Sequence, residues 1–88
     1  MGDVAVVLKV LPEDAEMDIE KIKSAAEREL KGKCVLNKSE VQEIAFGLKY
    51  VRLEVIIPDE EGKIDLIESI LSRIQGVGQV DTEDMTLV

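Results

Sequence analysis

The hydrophobic period of this chain switches back and forth between the 2 of a strand and the 3.6 of a helix, and the order of the switches leaves few folds open. "VAVVLKVL" (4–11) is β-branched and aliphatic and is ended by Pro12. It reads as a strand buried on most of both faces, hence a central one. From Asp18 the spacing turns helical, with Ile19, Ile22, Ala25, Ala26 and Leu30 on one face. Asp18 is placed to cap that helix, and Gly32 to stop it in the left-handed region. "CVLNKSEVQEI" (34–44) is strand-like but polar, which suits a sheet edge. "LKYVRLEVII" (48–57) alternates: Val51, Leu53, Val55 and Ile57 face one way, and Tyr50, Arg52 and Glu54 the other. Pro58 ends it. Beyond the turn "DEEGK", Ile67, Ile70, Leu71 and Ile74 form a second helical stripe. Asp65 and Glu68 have the spacing of a capping box, with Ile64 as the apolar residue before the cap. "GVG" (76–78) breaks this helix, and "QVDTEDMTLV" reads as a last, polar edge strand.

The order is therefore β-α-β-β-α-β. The first and third strands are apolar and belong in the middle; the second and fourth are polar and belong at the edges. Each helix has one apolar face, so both cover the same side of the sheet. The fold class is α+β, a ferredoxin-like split βαβ with a four-stranded antiparallel sheet and two helices on one face. The other sheet face carries Val7, Lys9, Tyr50, Arg52 and Glu54 and is expected to be solvated, with Lys9 and Glu54 paired across strands.

Eighty-eight residues make one domain, with a thin core. The chain has no His and no Trp, and a single Cys, Phe and Tyr. Lack of His removes the usual acid/base near neutral pH. One thiol, Cys34, forms no internal disulfide, holds no CxxC metal site and excludes an iron–sulfur cluster; it reads as a small packing residue. A net charge of −8 and one ring, Tyr50, on the central strands argue against an RNA-recognition surface. We predict no tight binding of short single-stranded RNA at physiological salt, an expectation that a fluorescence-anisotropy titration checks directly. The acidic stretches "PEDAE" and "PDEEGK" lack the ligand spacing of a calcium loop and read as solvated loops. No signal peptide or membrane span is evident, so a soluble cytoplasmic protein is expected.

One segment resists a purely structural reading. In "EIAFGLKYV" (43–51) the only Phe stands at a chain reversal, before Gly47. A scarce aromatic at a turn is either a lid folded over the core or an exposed anchor for a partner. Met85 and Leu87 alternate on the last strand, as in ordinary edge packing.

"IAFGLKYVRLEV" (44–55), with "VLPED" early and a short polar last strand, resembles the archaeal translation elongation factor 1-beta family. Its eukaryotic exchange domain carries a similar Ile-Gly-Phe-Gly-Ile segment. The resemblance runs over the whole chain and implies one guanine-nucleotide exchange domain, residues 1–88. It implies a protein that binds the elongation factor 1-alpha GTPase and accelerates GDP release, with no covalent chemistry, catalytic residue, cofactor or metal of its own. By position it assigns partner contact to Phe46, Gly47, Met85, Thr86, Leu87 and Val88: the Phe against the nucleotide domain of the GTPase, the chain end toward its phosphate and magnesium region. Eukaryotic relatives place a Lys next to last, where Leu87 stands here. The alternative reading is a small-molecule-binding regulatory domain that dimerises through sheet edges.

Overall fold

The computed structural model describes residues 2–88. The elements are β1 (Asp3–Pro12), α1 (Ile19–Leu30), β2 (Val35–Ala45), β3 (Leu48–Pro58), α2 (Lys63–Ser72) and β4 (Val77–Leu87). The sheet order is β2-β3-β1-β4, with every neighbouring pair antiparallel. This is the ferredoxin-like arrangement that the periodicity predicts, apolar strands inside and polar strands outside. One face of β1 (Val4, Val6, Leu8, Val10) and one of β3 (Val51, Leu53, Val55, Ile57) meet Ile22, Ala26 and Leu30 of α1 and Ile67 and Leu71 of α2 in a single core. Both helices therefore lie on one side, α1 over β2 and β3, α2 over β4.

Asp18 caps α1 as its sequence position predicts. Its Oδ1 accepts from the N–H of Glu20 (3.1 Å), a donor that the first helical turn leaves without a partner, and from the N–H of Lys21 (3.4 Å), which also donates to the Asp18 carbonyl (3.1 Å). We predict that Asp18→Ala lowers the unfolding free energy by about 1 kcal/mol, a fall in melting temperature of roughly 4–8 °C for a domain of this size. An unchanged melt would mean that packing of Ile19 alone sets the helix end. At the other end, Lys31 (φ −60°, ψ 124°) and Gly32 (φ 83°) make a type II turn closed by Lys33 N–H donating to the Leu30 carbonyl at 2.9 Å.

Four local expectations are corrected. α2 has no Asp65–Glu68 capping box. Gly62, at φ 84°, opens the helix three residues earlier, so Ile64 lies inside its first turn and Asp65 adds only charge there. Glu68 turns to β4 instead and accepts from Thr82 Oγ1 at 2.6 Å. Lys9 does not pair with Glu54. The register sets Arg52 opposite Lys9 and Val7 opposite Glu54. Lys9 Nζ sits 4.8 Å from the centre of the Tyr50 ring, a cation–π contact, and Glu54 accepts from Asn37 Nδ2 at 3.0 Å. Val7 is buried although no helix covers its face, so that face is less wet than its charges suggest. Val77 and Gly78 belong to β4 rather than to the break before it.

Candidate functional site

The β2–β3 hairpin turns over two residues, Phe46 and Gly47, between the paired Ala45 and Leu48. Both have positive φ, 53° and 79°. Two-residue hairpins of the primed type demand this, because only such turns match the twist of the strands, and they favour Asn-Gly or Asp-Gly. Phe at the first position costs roughly 1–2 kcal/mol, since its Cβ crowds the carbonyl in the left-handed region. The ring gains nothing from the core in return: it is fully exposed. Phe46 therefore does not form a lid over the core. Ile44 and Leu48, also exposed, flank it and make the hairpin tip an apolar knob. Sequence reasoning missed these two flanking residues. The signal was present in "IAFGL", where apolar residues alternate through a turn.

The chain end forms a second apolar patch. Met85, Leu87 and Val88 are 56%, 73% and 67% exposed. Leu87 is paired with Val4 and Met85 with Val6, so Met85 and Leu87 stand on the core-facing side of the sheet, at a place the helices leave open. They help to line a cleft of about 200 Å³ with Val4, Ile57, Pro58 and Ile64, and Asp59 and Glu60 complete its wall. Thr86 is paired with Ala5 and lies outside this lining. The cleft is invisible in sequence, because strand register brings residues 4, 57 and 87 together and the packing of α2 adds Ile64.

The structure does not bring the two patches together. β3 and β4 are both antiparallel to β1 and so run in the same direction. Phe46 stands just before the start of β3, and Leu87 at the end of β4. At about 3.3 Å per residue they lie roughly 30 Å apart along the strands, at opposite ends of a molecule whose long axis is 42 Å. A second concavity, an open groove of about 890 Å³ between α1 and α2, has Met17, Ile22, Ile70 and Ile74 among its lining and charges of both signs at its rim. It includes no residue of either patch.

Groups suited to chemistry are not assembled at any of these places. Burial pushes the Cys34 thiol up, away from its reactive form. The Glu27 carboxyl is held low by the Ser39 hydroxyl, which donates to it across the α1–β2 contact, and by Lys23 one turn away. Neither group lines a patch. Among the described residues no three Asp, Glu or Cys side chains are grouped to hold a metal ion. Among the described residues no helix is long and apolar enough to cross a membrane.

Fold and surface together define a small ferredoxin-like domain whose conspicuous features are two exposed apolar ends, suited to gripping another macromolecule. The chain belongs to the EF-1 guanine nucleotide exchange domain family, whose model matches residues 5–88. It is 46% identical to elongation factor 1-beta of Thermoplasma acidophilum over 88 residues, all of both chains. It is 42% identical to elongation factor 1-beta of Pyrobaculum calidifontis over 83 residues, 93% of this chain and 90% of that one. Among solved structures, the ACT domain from GTP pyrophosphokinase of Chlorobium tepidum superposes with a TM-score of 0.68 over 92% of this chain and 99% of that one, at 12% identity. The C-terminal domain of the MgtC protein from Mycobacterium tuberculosis gives 0.61 over 99% and 88%, at 11% identity. At such low identity these two establish the fold alone.

Proposed function

We propose that this protein is a cytoplasmic guanine-nucleotide exchange factor, one domain spanning residues 1–88, that promotes GDP release from elongation factor 1-alpha by binding it and without covalent chemistry. The observation that carries this reading is a family match over residues 5–88 on a fold that spends conformational energy to hold Phe46 in water. An exchange factor must bind the nucleotide-free GTPase more tightly than the GDP-bound one; by linkage it then weakens GDP to the same degree. A thousandfold faster release corresponds to about 4 kcal/mol of barrier.

The two ends divide that work. A bound nucleotide cannot touch sites roughly 30 Å apart. The Phe46–Gly47 hairpin tip therefore grips one place on the GTPase, and Met85, Thr86, Leu87 and Val88 reach the phosphate and magnesium region from the other end. Leu87 is neutral and acts there by volume, not by charge. Stopped-flow release of fluorescent GDP from the cognate GTPase tests the reading. Release should accelerate and saturate with this protein's concentration. A rate equal to spontaneous release at every concentration overturns it.

A further inference from the structure

We infer that the cleft between the start of α2 and the end of β4 receives a lysine or arginine side chain of the GTPase. This deepens the exchange reading and rests on it. The cleft, about 200 Å³, has an aliphatic lining from Val4, Ile57, Ile64 and Leu87, and carboxylate residues Asp59 and Glu60 in its wall. Its shape and chemistry suit an amphipathic occupant: an apolar stem along the lining and a cation at the wall. Among the described residues neither Asp59 nor Glu60 has a side-chain ion pair or hydrogen bond, so both carboxylates are available. Their backbone is fixed, Asp59 N–H donating to the Gly2 carbonyl (3.0 Å) and Glu60 N–H to that of Pro58 (2.8 Å).

Other occupants fit less well. A bare metal ion needs several oxygen ligands, and the lining is mostly aliphatic. A purely apolar side chain would strip water from carboxylates without pairing them. An anion drawn to the N-terminus of α2 would meet about half a positive charge from the helix, plus Lys63, against Asp59, Glu60, Glu61 and Asp65. The sign of the sum is negative. It agrees with the wider distribution: residues 59–88 hold eight Asp and Glu against Lys63 and Arg73, and so carry six of the eight net negative charges. A cation is attracted from a distance and seated by the cleft.

The test is the affinity of the nucleotide-free GTPase for the full-length protein and its variants, as a function of salt. Asp59→Asn combined with Glu60→Gln should weaken binding about tenfold at about 50 mM salt, the gap closing to about twofold at about 500 mM as screening rises. Met85→Lys, which fills the cleft with the chain's own cation, should weaken binding similarly. Asp65→Asn removes a nearby charge that does not line the cleft and should change affinity by less than about twofold. Thermal melts confirm that all variants fold. Wild-type binding with an unchanged Asp59/Glu60 double variant overturns the cleft and leaves the exchange reading standing. An Asp65→Asn loss as large as that of the double variant also overturns it, because a general acidic field then explains the attraction. No wild-type binding at all removes the exchange reading and the cleft with it.

Discussion

Phe46→Asn should make the protein more stable and a much worse exchange factor. The stability gain follows from the backbone. Phe46 and Gly47 both have positive φ, and Asn-Gly is the pair such a turn prefers. Relief of the left-handed strain is worth about 1 kcal/mol, or roughly 4–8 °C in melting temperature at this size. No packing is lost in exchange, because the ring is fully exposed. The functional loss follows from the same exposure. An aromatic anchor at an interface contributes about 2 kcal/mol or more, so affinity for the GTPase should fall at least about thirtyfold. Phe46→Ala should show the loss without the gain, since Ala lacks the short polar side chain whose local hydrogen bonding lets Asn adopt the left-handed region. Melts and GDP-release rates on the same three proteins decide it. A lowered melting temperature for Phe46→Asn would put the ring against the core in solution. A raised melting temperature with wild-type exchange would remove Phe46 from the partner contact.

That opposition between stability and function also marks where the sequence is hard to read. The layout of the sheet is legible because it rests on burial. β1 and β3 had to be central, since "VAVVLKV" and "VRLEVII" have nowhere polar to go. Asp18 and Gly32 are legible because a cap and a stop are local choices. The Asp65–Glu68 pair misleads for the same reason: its spacing satisfies a local rule, but Gly62 opens the helix first and Thr82 claims Glu68. The Lys9–Glu54 pair fails on register, which depends on two strands at once and is set by burial of the opposite face. Phe46 was detectable as an anomaly, a large ring where Asn belongs. The distance between Phe46 and Leu87 was not, because it follows from the direction of β4 relative to β3 rather than from any residue type.

Leu87→Ala should slow exchange strongly at ordinary magnesium and hardly at all once magnesium is chelated. On the proposed reading the chain end lies near the phosphate and magnesium region of the GTPase, where the resemblance implies a Lys in eukaryotic relatives and this chain has the neutral Leu87. A leucine cannot repel an ion, so its effect there must come from the volume it pushes into a loop that holds the ion. Truncation to Ala removes three carbon groups, each worth about 0.8 kcal/mol when buried. With partial burial in the complex the loss is about 1.5–2 kcal/mol, an exchange rate lower by roughly 10–30-fold at saturating factor. The free protein should scarcely notice, because Leu87 is 73% exposed and ends an edge strand; the expected change in stability is under about 0.5 kcal/mol. Chelation discriminates the mechanism. If Leu87 works by loosening magnesium, removing the ion does its work in advance, and variant and wild type converge. Deleting Thr86–Val88 should behave alike, with a slightly larger fall in the melt from the lost Ala5 and Val4 pairings and the Val88 N–H to Asp3 carbonyl bond. A Leu87→Ala deficit that stays the same with and without magnesium would show that Leu87 contributes plain binding affinity, and that release is driven from the Phe46 end.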